Sequence, residues 1–359
     1  MVEEFPASFL AFVIISRWLL TLDKVVQYFF FCLICCLEMK RPLNYSFKLI
    51  LVLLGFCYCV SSNAQQDPQF SMNMFSNMGI NPGYAGSQGL LNASVINRQQ
   101  WMGFKGNPKS TLFTVHTPVN PFGISSGVGL TILDDRLGFE QNMALNLSYA
   151  YRMSIGPGHL GLGISGGLLN KTLKGEWSIP DSDFHTSATQ DPAIPAGEEV
   201  GMAFDMGAGL FYNTDDFYVG FSTTHLLQPT IDYGLSAKTD MKRHYYLTAG
   251  YNYNLPNPIL ELQPSILAKY DGASMQLDVN AMVIYNKRFW GGVSYRLGDA
   301  VIIMAGAELT NGMRVGIAYD FTTSAIAAYS NGSVEFMVSY SLEVGADKAS
   351  RKYRSIRLL

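Results

Sequence analysis

Two residue patterns that elsewhere support catalysis overlap between Gly161 and Gly167. Gly161-Leu162-Gly163-Ile164-Ser165-Gly166 spells GxGxxG, the turn that cradles a dinucleotide pyrophosphate, and Gly163-Ile164-Ser165-Gly166-Gly167 spells GxSxG, the hydrolase nucleophile elbow. Either chemistry requires a strand that turns sharply into a helix, so that a helix N-terminus or an exposed serine Oγ can act. Here the run lies inside a glycine-rich strand pattern, where glycine relieves crowding in a curved wall. His116, His159, His185, His225 and His244 show no HxxxH or HExxH spacing, so no zinc site is readable. The segment 171–201 carries Glu176, Asp181, Asp183, Asp191, Glu198 and Glu199 beside His185. These acids lack the regular spacing of a calcium loop and read as a solvated connection. The sequence thus predicts no enzyme, no metal and no cofactor.

The elements around these residues alternate with a period of two, which puts apolar side chains on one face of a strand and polar or small ones on the other. Met143, Leu145, Leu147, Tyr149 and Tyr151 oppose Asn142, Asn146, Ser148 and Arg152. Val334, Phe336, Val338, Tyr340 and Leu342 oppose Ser333, Glu335, Ser339 and Glu343. Fourteen such segments are expected between residues 89 and 343. Turn signals such as Asn120-Pro121-Phe122-Gly123 and Gly156-Pro157-Gly158 mark every second connection. The longest connections, near 171–201, 225–241 and 322–331, fall between them. Alternating short and long connections are those of an outer-membrane barrel, with the short turns periplasmic. The expected fold is therefore all-β, an antiparallel transmembrane β-barrel, with both mature termini periplasmic. The inward faces hold Arg152, Asp205, Asp278, Arg314, Asp320 and Glu335, so the lumen is expected to be polar.

Composition agrees. Charged residues make up 15% of the chain, while Gly (34), Tyr (20) and Phe (22) are plentiful. Soluble domains carry roughly 25% charge, so much of this surface must face something other than water. A net charge of −3 gives no sign of nucleic-acid binding. From Met39 the chain reads Lys40, Arg41 and Lys48, then apolar Leu49 to Val60, then Ser62-Asn63-Ala64. That order is a secretory signal peptide over 39–64, cleaved after Ala64, with 1–38 a start-site artefact. All five cysteines precede residue 60, so the cleaved chain is cysteine-free. Residues 65–88 form a periplasmic N-terminal segment that can also tuck into the barrel. Residues 344–359, with Lys348, Arg351, Lys352, Arg354 and Arg357, form a basic periplasmic tail.

Three blocks are unusually specific, the first of them not strand-like. The first runs Asp67-Pro68-Gln69-Phe70-Ser71, then Asn81-Pro82-Gly83-Tyr84-Ala85-Gly86-Ser87. The second is Arg98-Gln99-Gln100-Trp101-Met102-Gly103-Phe104-Lys105-Gly106-Asn107-Pro108, and the third is Tyr329-Ser330-Asn331-Gly332-Ser333-Val334-Glu335. Together they resemble the PorP/SprF family of type IX secretion system membrane proteins, with its DPQFS opening, NPAYAGS-like turn, RxQWxGFxGxP block and YSxGSHE signature. Gly83 stands where alanine is usual and Val334 where histidine is usual. The resemblance implies an outer-membrane component of the secretion and gliding machinery of Bacteroidota-type bacteria. Its implied partners are the C-terminal domains of large secreted cargo proteins, other type IX components and outer-membrane lipid. Trp101, Phe104 and Pro108 sit at the first outer hairpin, where they could bind cargo or brace the rim. The competing readings are a passive porin or hydrophobic-solute transporter, which any such barrel could be by architecture, and a membrane-embedded hydrolase, for which no Ser, His and acid can be placed together.

Overall fold

The computed structural model describes residues 67–174, 198–233 and 238–343. The readings made for 1–38, the signal peptide, most of the acidic connection and the basic tail lie outside these residues.

Fourteen antiparallel strands close into a barrel. They are β1 (Leu91–Gln99), β2 (Lys109–Val119), β3 (Ser126–Leu137), β4 (Glu140–Ile155), β5 (Gly158–Lys174), β6 (Glu198–Asn213) and β7 (Phe217–Thr224). There follow β8 (His244–Tyr251, resuming as Tyr253–Asn254), β9 (Leu260–Tyr270), β10 (Met275–Tyr285), β11 (Phe289–Arg296), β12 (Ala300–Glu308), β13 (Met313–Thr322) and β14 (Ser333–Leu342). Each strand pairs with its neighbours in sequence, and β14 returns to β1 in a register from Leu91 opposite Leu342 to Gln99 opposite Val334. All fourteen expected segments are strands, with ends shifted by a few residues.

The interruption of β8 at Asn252 has a cause on the facing strand. The β8–β9 register holds from Gly250 opposite Ser265 to Tyr253 opposite Leu262, so the gap faces Gln263 and Pro264. Pro264 has no N–H to give, and the ladder opens there.

Burial follows the alternation but in the sense opposite to a soluble protein. Leu147 is 63% exposed and Ile164 58%, whereas Asp278 and Glu335 are fully buried. Apolar side chains form the outer wall and charged ones line the lumen, as a bilayer requires. β4, β5 and β6 span 16, 17 and 16 residues, more than the roughly 9–11 a tilted crossing needs. β5 and β6 therefore run into the stretch expected to be loop.

Antiparallel order puts connections 100–108, 138–139, 271–274, 297–299 and 323–332 at one end of the barrel, the loop end, together with the last residues of β5 and β7 and the first of β6 and β8. The short connections 120–125, 156–157, 214–216, 255–259, 286–288 and 309–312 share the other, the turn end. At the loop end Thr230–Asp232 and Lys238–Asp240 make a two-stranded ribbon, seated through Ile231 on Ala144 and Leu169.

Candidate functional site

Residues 67–90, which include the described part of the segment 65–88 expected as periplasmic or tucked, lie inside the barrel. They contain a 3-10 turn (Asn73–Phe75), the one-turn helix α1 (Asn77–Ile80) and a second 3-10 turn (Pro82–Tyr84). Asn81 caps the last of these by accepting from Gly83 N at 2.9 Å, with Pro82 in the first helical position. Met72, Met74 and Met78 are buried with Phe70, Ile96, Phe211, Ile302, Met304 and Met337. Unbranched methionine fills the irregular space between a turn-rich plug and a regular wall. One cavity of about 10 Å³ lies beside Phe75 and Trp290 and another of about 20 Å³ beside Tyr84 and His116.

Three sets of contacts hold this plug. The first lies at the loop end, around Asp67. Its Oδ1 accepts from His225 Nε2 at 2.9 Å, and its Oδ2 from Tyr246 at 2.8 Å and Thr224 at 3.1 Å. His225 Nδ1 donates to Asp205 at 2.8 Å, so the imidazole bridges a plug carboxylate and a wall carboxylate. Lys269 Nζ donates to the carbonyl of Asp67. Burial by itself would lower the His225 pKa, but the Asp67 charge and the hydrogen bonds to Asp205 and Asp67 outweigh it and hold the group at about 10. Burial would raise the Asp67 carboxyl, yet the charge and hydrogen bond of His225, with the charge of Lys269, keep it well below the usual range. The ligand-capable atoms of Asp67, His225 and His244 all lie within 4.8 Å of one another. His244 is already engaged, donating from Nδ1 to the Lys242 carbonyl at 3.0 Å and accepting the Asp67 N–H on Nε2 at 3.3 Å. The group therefore reads as a hydrogen-bonded latch.

The second set joins the motif blocks. Glu335 accepts from Ser71 N at 2.6 Å and Met72 N at 2.8 Å. Arg98 pairs with Asp320 at 2.7 Å and Glu335 at 3.3 Å, and the Ser71 hydroxyl donates to Asp320 at 2.7 Å. Arg296 pairs with Asp278 and Asp320, both at 3.2 Å. Two guanidiniums thus face three buried carboxylates. The plug supplies the remaining donors: the N–H groups of Ser71 and Met72, the Ser71 hydroxyl and the side chains of Gln69 and Asn73, which reach Asp278. A buried carboxylate without such donors is costly.

The third set lies toward the turn end. Gly161, Gly163 and Gly209 leave a bay in the wall into which Pro82-Gly83 presses, and Asn81 Nδ2 donates to the Leu210 carbonyl at 2.9 Å. A Cβ on Gly83 would stand 2.9 Å from the carbonyl oxygens of Gly161 and Gly209, so glycine in place of the usual alanine suits this chain. Tyr84 packs edge-on against Phe211 and His116, and Gly86 N donates to His116 Nδ1 at 3.3 Å. The GxGxxG run is thus a docking bay. Glycine, expected to relieve crowding in a curved wall, here admits the backbone of Pro82-Gly83.

The 98–108 and 329–335 blocks continue to the rim. Trp101 N donates to Ser333 Oγ at 3.0 Å, Met102 N to the Gly332 carbonyl at 2.8 Å and Asn331 N to the Met102 carbonyl at 2.6 Å. Gly103, at φ 123°, lies against Asn331 and the Tyr329 carbonyl. Pro108 is buried and Trp101 half-buried, whereas Phe104 and Tyr329 are exposed, at 38% and 78%. Leu137 and Phe139 are exposed as well, at the β3–β4 connection whose Gly138 N donates to the Gly106 carbonyl at 3.1 Å.

Among the residues singled out from sequence, Asp67, Gln69, Phe70, Asn81, Pro82, Tyr84, Gly86, Arg98 and Glu335 belong to the plug and its clamps, with Pro68 half-buried between them. Trp101, Gly103, Phe104, Pro108, Gly332 and Ser333 build the rim. The sequence reading did not find His225, Asp205, Tyr246, Lys269 and Arg296 as plug contacts. Inward-pointing charge was the only signal, and it says nothing of what lies inside.

A model of the family described as type IX secretion system membrane protein PorP/SprF matches residues 62–340. No curated protein matches the chain. Among solved structures it is similar to the CymD monoaromatic hydrocarbon channel, with 12% identity, a TM-score of 0.48 and coverage of 76% of this chain and 93% of that one. The toluene transporter TbuX of Ralstonia pickettii gives 11%, 0.42, 75% and 94%. The toluene transporter TodX of P. putida gives 12%, 0.42, 74% and 93%.

Proposed function

Because the chain belongs to the PorP/SprF family of type IX secretion system membrane proteins, we propose that this outer-membrane barrel is a non-enzymatic component of that machinery. In this reading it captures particular large cargo proteins through their C-terminal domains and helps export them or hold them at the surface. The observation that carries the choice over a solute channel is the occupied lumen. A porin requires a water-filled passage with charged constriction residues, and here the inward Glu335 is spent on Ser71 and Met72, and Asp205 is tied through His225 to Asp67. The surface left for a partner is the rim, where Phe104, Leu137, Phe139 and Tyr329 stand exposed over a backbone cross-linked between 101–102 and 331–333. A rigid patch with aromatic anchors binds at low entropic cost. The reading is tested by comparing surface and secreted proteins of a deletion strain with its parent. Loss of one or a few large proteins sharing a C-terminal domain, with general secretion intact, is the expected result. An unchanged set, with measurable conductance of the purified barrel, would overturn it in favour of a channel.

A further inference from the structure

The path of the plug bears on which side of the membrane the mature N-terminus occupies, a question separate from cargo handling. Four contacts along the segment form an ordered series. Asp67 meets Thr224 at the end of β7, His225 just beyond it, His244 at the start of β8 and Lys269 near the end of β9, all at the loop end. Ser71 meets the ion cluster of Arg98, Asp320 and Glu335, which still lies in the loop-end half of β1, β13 and β14. Phe75 packs on Trp290, the second residue of β11, at a centroid distance of 5.0 Å, which is toward the turn end. Gly83 meets Gly161 and Gly163 near the start of β5, and Gly86 meets Pro118 near the end of β2, both at the turn end. The segment therefore runs once through the barrel from loop end to turn end and then enters β1.

We propose that the chain leads into the barrel from the outside: the mature N-terminus is displayed on the cell surface, and residues 67–90 descend from there through the lumen to the periplasmic start of β1. The outer face is the loop end because outer-membrane barrels keep short turns in the periplasm and long connections outside. This replaces the expectation that both mature termini are periplasmic. The even strand count does put Leu91 and Leu342 at the same end, but the plug carries Asp67 to the other. The segment cannot slide back easily, because Glu335 and Arg98 belong to β14 and β1, the strands that form the seam, and they grip Ser71 from both sides of it.

The sequence makes the test direct, since no cysteine follows Cys59. Gln66→Cys, Lys238→Cys in the loop-end ribbon and Phe122→Cys in a turn-end connection are made in separate chains. Each is treated with a membrane-impermeant maleimide on intact cells, on permeabilised cells and after denaturation. Heat-dependent gel mobility reports that each barrel is folded, and a short epitope inserted between Gln66 and Asp67 repeats the test by antibody. The expected result is that Gln66→Cys and Lys238→Cys react on intact cells to at least about half of the denatured signal, while Phe122→Cys reacts only after permeabilisation. Gln66→Cys reacting only after permeabilisation, or only after denaturation, with Lys238→Cys labelled on intact cells, overturns the proposal. Labelling of Phe122→Cys but not Lys238→Cys on intact cells overturns it as well, by reversing the barrel.

Discussion

Ser71 and Glu335 are 264 positions apart, yet the backbone N–H of Ser71 donates to Glu335 Oε2 at 2.6 Å in full burial. One residue lies in the plug near the start of the described chain and the other on its last strand. Their contact joins plug, first strand and last strand, because Arg98 of β1 pairs with the same carboxylate.

Glu335→Ala leaves two buried N–H groups without an acceptor and Arg98 short of a counter-charge. Breaking one side of a buried pair costs about 3–5 kcal/mol, so the urea midpoint of the refolded barrel should fall markedly. Glu335→Gln keeps an acceptor and should lose about half as much or less. Equal losses for the two variants would show that the carboxylate charge, not the acceptor, is what matters.

The Asp67–His225 latch should depend on pH in a defined window. The imidazole, raised to about 10 in the fold, contributes fully below its unfolded value of about 6.5 and loses that contribution as pH climbs through about 10. The Asp67 carboxylate, depressed in the fold, contributes above about 3.8 and loses its effect as pH falls toward its lowered value. Both are complete between about pH 4 and 6.5. The stability difference between the parent and His225→Gln, from urea midpoints, should be flat across that window and shrink steadily toward pH 10.

Gly163→Ala tests the docking bay. The added Cβ meets the Pro82-Gly83 backbone, whereas at Gly166 the nearest atom is the Phe204 ring at 3.4 Å. Overpacking of this kind costs about 1–3 kcal/mol, borne by the plug. Gly163→Ala should raise protease sensitivity of residues 67–90 and ion conductance in planar bilayers, with Gly166→Ala near the parent in both.

The rim should separate folding from partner handling. Trp101→Ala with Phe104→Ala, and Phe104→Ala with Tyr329→Ala, remove aromatic surface but leave the backbone bonds between Met102 and residues 331–332. Barrel assembly by heat-dependent gel mobility should be intact, and surface display of the cargo reduced several-fold. Undiminished display in both double variants would remove the rim from the proposed contact surface.

Much of the architecture was legible because period-two alternation is local: whether Leu147 or Ser148 faces lipid follows from the pleat alone, and the turn residues fixed which connections are short. The same alternation named Asp205, Asp278, Asp320 and Glu335 as inward. It could not show that Asp320 and Glu335 meet Ser71, or that the glycines at 161 and 163 receive residues 82–83, since those contacts join segments that are remote in the chain.

By itself the sequence determined a closed, lipid-facing barrel of fourteen strands and the family blocks at 67–87, 98–108 and 329–335. Only the tertiary structure decided that these blocks converge, that residues 67–90 fill the lumen and that Asp67 lies at the loop end. The physical reason is that strand pairing is written in local alternation, while the seat of the plug depends on which buried carboxylates the closed barrel leaves short of donors, and that is known only once the wall is complete.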